Sequence, residues 1–320
     1  MSHWQVMFFA VLAIFAVACV GALARRLDWL TEEADRSLLT LVVKVLFPAF
    51  ILDVTWDSAV LRDPKNLVWP PLVGAVSVLL GFAVAWYLGK AMGGRAGVGE
   101  PAQRRTFALC VGLYNYGYVP LPLAAALFGR ETMSVMFVHN LGVEVVMWTV
   151  GVMLISGHVA RDWPKRILNG PTLAIIASLV LNFTGGHAYV PDFVRQGIHL
   201  IAGAAIPLSV ILIGAIAADE FNAQTVRRGG RVVFWSCVLR LGVLPAMFLG
   251  LALLVPASTE LKRVIAIQAA MPTATFPIVM ARTYNGDPAT ALRVCIGTSA
   301  VSLATMTLWL SAGLWLLGVR

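Results

Sequence analysis

The stretch "YNYGYVPLPLAAALFG", residues 114–129, interrupts a longer apolar segment with polar side chains and prolines. It opens with three tyrosines, an asparagine and a glycine, and it carries Pro120 and Pro122. A proline inside a helix removes a hydrogen-bond donor and clashes with the carbonyl one turn earlier. The stretch therefore predicts a helix that is broken in the middle of an apolar run.

The composition around this stretch indicates a membrane protein. Of 320 residues, 59% are hydrophobic and 12% are charged, whereas about a quarter of the residues in a soluble domain are charged. About 20 consecutive apolar residues span a bilayer as an α-helix. The chain contains ten such runs, at residues 4–24, 37–56, 67–88, 106–128, 133–156, 167–183, 198–218, 232–255, 264–284 and 289–317. We therefore predict an all-α polytopic protein of the cytoplasmic (inner) membrane with ten transmembrane helices and no soluble domain.

The basic residues predict the orientation of these helices. The net charge of +8 is spread over short loops, which argues against nucleic acid as a partner. Fifteen Lys and Arg residues lie in loops on one predicted side and seven on the other. Because cytoplasmic loops carry the excess of Lys and Arg, both termini are predicted outside and residues 157–170 form a short cytoplasmic loop.

The two halves of the chain share the positions of their helix-breaking residues. Pro48 is matched by Pro207 at an offset of 159 residues, while Pro120 and Gly129 are matched by Pro277 and Gly286 at an offset of 157. Because five spans is an odd number, the second half must enter the membrane from the opposite side. The sequence predicts two inverted repeats, residues 1–156 and 171–320, which are typical of secondary transporters.

The second broken helix is predicted at "AAMPTATFP", residues 269–277. If the broken fourth and ninth helices cross, four half-helix ends meet, and their N-terminal ends favour an anion. The residues predicted to bind substrate are Asn115, Tyr116, Gly117, Pro120, Pro272, Thr273 and Thr275. The alternative is that the prolines only shape helix packing, since kinks are tolerated in membrane helices.

Several polar residues inside the runs are candidates for coupling. Glu144 lies well inside the fifth run, one turn after Asn140, so the two share a helix face. Charged residues at this depth are costly and are usually functional. We predict that Glu144, Asn140 and Gln268 bind a coupling ion or proton, although Glu144 could instead form a structural hydrogen bond. Arg240 is expected to pair with Glu144, to compensate a substrate carboxylate, or to extend to the membrane interface.

Three motifs in register resemble the auxin efflux carrier family. "VLFPAFIL" (residues 45–52) resembles its second-helix proline motif, residues 114–129 resemble its fourth helix, and residues 268–291 resemble its ninth helix and the following loop. The resemblance implies a ten-helix fold similar to that of bile acid–sodium symporters, with a bundle containing the crossed helices that moves against a scaffold. The chain differs from the plant carriers at the fourth-helix break, where it has Tyr114-Asn115-Tyr116, and in lacking a long central loop. A bacterial-type member is implied.

The predicted function is that of a secondary active transporter for a small organic anion, either an auxin-like carboxylate or a dicarboxylate, working by an elevator-like alternating access. An uncoupled channel or uniporter is the alternative, followed by an intramembrane enzyme. No enzyme signature, metal-type spacing or cofactor motif is found, so we expect no cofactor other than Na⁺ or H⁺ as coupling ion. The predicted partners are the organic anion, the lipid bilayer and, as an open alternative, a second copy of the chain in a homodimer.

Overall fold

The computed structural model describes residues 3–158, 162–220 and 229–319. Regular structure in these ranges is helical, apart from one isolated bridge between Tyr114 and Thr273. In chain order the helices are α1 His3–Arg26, α2 Glu32–Thr55, α3 Lys65–Met92, α4 Pro101–Gly112, α5 Pro120–Leu127, α6 Arg130–Ser156, α7 Trp163–Ile167, α8 Gly170–Thr184, α9 Asp192–Gly203, α10 Ala205–Glu220, α11 Gly230–Leu254, α12 Thr259–Ala270, α13 Phe276–Thr283 and α14 Pro288–Leu316.

Most of the predicted apolar runs correspond to long helices. In the described ranges, seven helical segments are long and apolar enough to cross a membrane. This confirms a multi-pass membrane protein. The sixth run corresponds to α8, a shorter apolar helix of 15 residues, and the fourth and ninth runs are each divided into two short helices.

The seventh run lies within one long helical segment, Asp192–Asp219, which has a one-residue turn at Ala204, between α9 and α10. Pro207 explains the position of this turn. It has no N–H with which to bond the Gly203 carbonyl four residues earlier, whereas the next residue, Leu208, does bond the Ala204 carbonyl.

Both predicted helix breaks are present. The first lies between the end of α4 at Gly112 and the start of α5 at Pro120, and the second lies between α12 and α13, over residues 271–275. In each case a proline occupies the first turn of the helix that follows, where its missing N–H removes no helical hydrogen bond.

Glycines allow two pairs of helices to approach closely. A side chain at Gly142 of α6 would collide with the Pro71 carbonyl of α3, and one at Gly214 of α10 would collide with the Ala18 carbonyl of α1. Small residues at such contacts let helix backbones pack directly in a membrane. The contact at Gly142 fixes α6, which carries Glu144, against α3.

Three of the long helices contain a π-helical turn that the apolar pattern did not predict. The turns are Val42–Leu46 in α2, Met147–Gly151 in α6 and Leu239–Val243 in α11. Such turns are rare and are often found at functional sites. The turn in α6 begins three residues after Glu144, and the turn in α11 contains Arg240.

Candidate functional site

The two helix breaks lie against each other and are joined by backbone hydrogen bonds. The Asn115 N–H donates to the Pro272 carbonyl at 2.8 Å, and the Ala274 N–H donates to the Leu113 carbonyl at 3.0 Å. Non-helical backbone at membrane depth must find such partners within the protein or in a water-filled cavity. The pairing also brings the ends of α4, α5, α12 and α13 together, as the sequence predicted for crossing broken helices.

The N-terminal ends of α5 and α13 offer backbone donors at this level. Within the described ranges, the N–H groups of Tyr118 and Thr275 donate to no hydrogen-bond acceptor. Each lies just before a short helix, where the first N–H groups lack helical partners and the helix dipole is positive. Two such ends beside each other favour a negatively charged ligand.

A cavity of about 450 Å³ extends from the breaks to the loop that joins the two halves of the chain. It is largely apolar and aromatic, with Phe47, Phe137 and Phe276 in its wall. The predicted site residues that line it are Asn115, Tyr116, Gly117, Asn140, Glu144 and Thr275. Pro120, Pro272, Thr273, Gln268 and Arg240 are not part of its lining.

Among the described residues, Glu144 is the one acidic residue in the cavity lining, and both of its carboxylate oxygens accept hydrogen bonds. The Tyr116 hydroxyl donates to Oε1 at 2.7 Å, and the Trp148 indole Nε1–H donates to Oε2 at 2.8 Å. Tyr116 belongs to the first break, whereas Glu144 and Trp148 lie one turn apart on α6. The carboxylate is therefore linked directly to the break.

Asn140 and Gln268 bind the backbone of the break rather than Glu144. The Asn140 Nδ2 donates to the Tyr116 carbonyl at 2.8 Å, and the Gln268 Nε2 donates to the Asn140 Oδ1 at 3.4 Å. Both side chains are buried. The predicted coupling set is therefore brought together through Tyr116, whose carbonyl contacts Asn140 and whose hydroxyl contacts Glu144.

Arg240 does not lie where two of the sequence-based alternatives placed it. Its side chain is 0% exposed, so it does not extend to the interface, and it forms no ion pair with Glu144. Its Nε donates to the Met271 carbonyl at 3.0 Å and its Nη2 to the Gln268 carbonyl at 3.3 Å. The sequence pattern could not identify these partners, because a backbone carbonyl is left without a helical N–H partner only where a helix ends, and that position depends on the fold.

Pro272 and Thr273 do not line the cavity, but their hydrogen bonds hold the second break in place. The Pro272 carbonyl accepts the bond from Asn115, and the Thr273 N–H donates to Thr298 Oγ1 of α14 at 3.3 Å. Thr273 is 1% exposed. Of the second-break residues predicted to bind substrate, Thr275 is the one that lines the cavity, together with its neighbours Ala274 and Phe276.

The basic residues Lys165 and Arg166 and the aromatic residue Trp148 also line the cavity, although none of them is a predicted site residue. Lys165 and Arg166 line the cavity from the short helix α7, and Lys165 is exposed; from the sequence they are predicted only as topology determinants. The Arg166 guanidinium lies 5.1 Å from the Trp148 ring centroid and bonds Asp162 at 2.8 Å. This hydrogen bond lowers the pKa of the Asp162 carboxyl below its ordinary value. The one available signal was Trp148, which follows Glu144 by four residues and so shares its helix face.

The cavity combines a largely apolar lining with a few charged side chains. Its lining includes residues of both breaks, Glu144 of α6, and Lys165 and Arg166 of α7. Among the described residues, no group of three or more His, Cys, Asp or Glu side chains could hold a metal ion. The cavity suits an organic anion with an apolar body and provides one carboxylate that can carry a proton.

Comparison with known proteins points to one family. The membrane transport protein family matches residues 6–162 and 158–310. An uncharacterised transporter of Methanocaldococcus jannaschii is 24% identical over 317 residues, which cover 93% of this chain and 96% of that protein. Auxin efflux carrier component 8 of Arabidopsis thaliana is 25% identical over 143 residues, 44% of this chain and 37% of the carrier. Component 3 of the same plant is 26% identical over 129 residues, 40% of this chain and 20% of the carrier.

Proposed function

The chain belongs to the membrane transport protein family, with auxin efflux carriers among its relatives, and on this premise we propose that it is a secondary transporter of small organic anions. It works by alternating access in the cytoplasmic membrane and couples anion movement to protons through Glu144. The family and the relatives are transporters rather than enzymes. The observation that carries the proposal is the pair of hydrogen-bonded helix breaks beside a cavity whose lining, within the described part of the chain, includes a single carboxylate.

The proposed architecture has ten spans in two inverted repeats. In it, α4 with α5 forms the fourth span, α12 with α13 forms the ninth, and the short α8 forms the sixth. Helix contacts support this assignment because they occur in equivalent pairs. α1 packs on α10 as α8 packs on α2, α3 packs on α6 as α11 packs on α14, and α4 packs on α14 as α12 packs on α6. An inverted repeat requires such equivalence.

The proposal of an anionic substrate rests on the donors and cations around the cavity. The N–H groups of Tyr118 and Thr275 lie at the breaks, and the basic residues Lys165 and Arg166 of α7 also line the cavity. An anion entering past these cations would meet the positive ends of two short helices. The aromatic wall favours a carboxylate with an apolar body, whereas a dicarboxylate would use both the donors of the breaks and the basic side chains.

The proton coupling follows from Glu144. A substrate carboxylate about 4 Å from an ionised Glu144 would be repelled by roughly 4 kcal/mol at an effective dielectric constant of about 20. Protonation of Glu144 removes this repulsion. Anion and proton therefore bind together and are released together, which makes the transporter a symporter.

Uptake by the purified protein in liposomes tests this function. Labelled indole acetate and malonate represent the two substrate classes, and proton and Na⁺ gradients are imposed separately. We expect saturable uptake of one class, counterflow, and accumulation driven by the proton gradient. Flux that is linear in concentration and shows no counterflow would identify a channel instead.

The proposed topology gives a separate prediction. With Cys19, Cys110, Cys237 and Cys295 replaced by alanine, a cysteine at Lys165 should react with an impermeant maleimide only from the cytoplasm. A cysteine at Arg130, which is 51% exposed, should react only from outside. The reason is the fifteen-to-seven distribution of basic residues. Reaction of both positions from the same side contradicts the ten-span arrangement.

A further inference from the structure

Arg240 is a fully buried cation that has no carboxylate partner. It lies in the middle of α11, within the π-helical turn Leu239–Val243, and its side chain is 0% exposed. None of the ion pairs formed within residues 3–158, 162–220 and 229–319 includes it. A charged side chain at this depth is costly and usually has a function, so its contacts need an explanation.

Among the described residues, the hydrogen bonds and ring contacts of Arg240 involve one helix end and two aromatic rings. Its two bonded nitrogens donate to the carbonyls of Gln268 and Met271. Gln268 lies in the last turn of α12, and Met271 is the first residue of the second break. The last carbonyls of a helix lack helical partners and form the negative end of its dipole. The guanidinium carbon also lies 5.2 Å from the ring centroid of Tyr114 and 5.1 Å from that of Phe248, which adds cation–π attraction.

The position of Arg240 is one that a mobile cation could occupy. In transporters with discontinuous helices, unwound carbonyls and the C-terminal ends of half-helices coordinate Na⁺ or H⁺. Here α12 is such a half-helix, and the two carbonyls that would face an ion are already bonded to Arg240. The guanidinium supplies the same charge at the same helix end, but it is attached to the chain and cannot leave.

We propose that Arg240 is a tethered cation that takes the place of a coupling Na⁺ at the second helix break. This rests on the proposed transport function and makes it more specific, because the site at α12 is permanently filled. Na⁺ has no role in the transport cycle, and Glu144 remains the group that carries the coupled charge. Arg240 acts as a positioning residue, since it holds the end of α12 and does not line the cavity.

Removal of the guanidinium should convert this position into a Na⁺ site. In Arg240→Ala, the carbonyls of Gln268 and Met271 lose the guanidinium donors, although the Gln268 carbonyl keeps the bond from the Met271 N–H at 3.2 Å, and both face a small cavity between Tyr114 and Phe248. We expect Na⁺ to raise the thermal unfolding midpoint of Arg240→Ala above its value in choline chloride, because a bound ion stabilises the folded state by mass action. The wild-type midpoint should be the same in NaCl and in choline chloride. Arg240→Lys should behave like the wild type, since its ammonium can still bond to carbonyls.

Phe248→Leu is the matched control, because it disturbs the same buried cluster and leaves Arg240 in place. It should lower the midpoint without any response to Na⁺. If Arg240→Ala does not fold, Arg240→Thr, which fills more of the space, replaces it in the same comparison. A Na⁺ response in the wild type, or the same salt response in Arg240→Ala, Arg240→Lys and the wild type, overturns the proposal.

The thermal measurement uses no substrate, so it is independent of the proposed transport function. If no anion of the liposome panel is taken up, the transport proposal fails while the Na⁺ response of Arg240→Ala still tests the tethered cation. Conversely, Na⁺-dependent uptake by the wild type would preserve transport and reject the role of Arg240. The two failures are therefore distinguishable.

Discussion

Glu144→Gln is expected to abolish proton-driven accumulation of the substrate anion while anion exchange continues. Glutamine has nearly the shape of a protonated glutamate, but it cannot release a proton. The variant should therefore bind the anion and carry it in both directions, because the repulsion from an ionised carboxylate is absent. In the variant, residue 144 cannot release a proton after the anion has left. The proton gradient therefore cannot drive net accumulation of the anion. Accumulation in a proton gradient and counterflow at equal pH, measured in liposomes, separate the two effects.

The matched control for Glu144→Gln is Glu131→Gln on the same helix. Glu131 accepts a hydrogen bond from Ser58 at 2.6 Å and does not line the cavity. It should retain proton-driven accumulation. Trp148→Phe tests whether the effect arises only from a lost hydrogen bond, because it removes the indole donor to Glu144 and keeps the carboxylate. If Glu144→Gln accumulates substrate as the wild type does, the carboxylate is a structural acceptor and the coupling proposal is wrong.

Asn115→Ala is expected to weaken anion binding by about five- to a hundredfold. Asn115 lies at the first break with its side chain in the cavity lining, and it is 6% exposed. Its Oδ1 accepts a long hydrogen bond from the Gly117 N–H at 3.4 Å. A partner left unpaired at a desolvated site costs about 1–3 kcal/mol, and each 1.4 kcal/mol is about tenfold in affinity. Calorimetric titration with the transported anion measures the change.

Asn115→Asp makes this prediction specific for an anion. It keeps the size of the side chain and adds a negative charge beside the helix ends, so its affinity should fall further than that of Asn115→Ala. Thr172→Val is the control, because Thr172 also lines the cavity but belongs to α8 and not to either break. It should bind with wild-type affinity. An Asn115→Asp variant that binds the anion at least as tightly as Asn115→Ala would show that no anion is bound at this break.

The helix breaks could be predicted from the sequence because their causes are local. Pro120 and Pro277 lack an N–H, so a helix can begin at them but cannot run through them without losing a hydrogen bond, and small polar residues before them indicate a break rather than a kink. Glu144 was recognisable for a similar reason, since a carboxylate within an apolar run is unusual whatever surrounds it. These features depend on residue type and on near neighbours in the chain.

The contacts across the site could not be predicted, because they join distant parts of the chain. Gln268 donates a hydrogen bond to Asn140, 128 residues away in the chain. Arg240 donates to the carbonyl of Met271, which lies just beyond the end of α12 and so has no helical N–H as its partner. The distribution of Lys and Arg residues predicts on which side of the membrane Lys165 and Arg166 lie, but it does not predict that they line a cavity. The π-helical turns likewise could not be predicted from the apolar pattern, because a run of hydrophobic residues is compatible with both α-helical and π-helical geometry.

The central claim, that the transported anion binds where the two breaks meet, is tested most directly by protection of a cysteine at Thr275. This residue is exposed to the cavity and lies at the start of α13. In the cysteine-free background, an impermeant maleimide added from the cytoplasmic side should label Thr275→Cys. A saturating concentration of the transported anion should slow this labelling strongly, while labelling of Lys165→Cys, at an exposed position of the cavity lining, continues at its usual rate. Labelling of Thr275→Cys that the anion leaves unchanged would contradict the claim and place the substrate elsewhere in the protein.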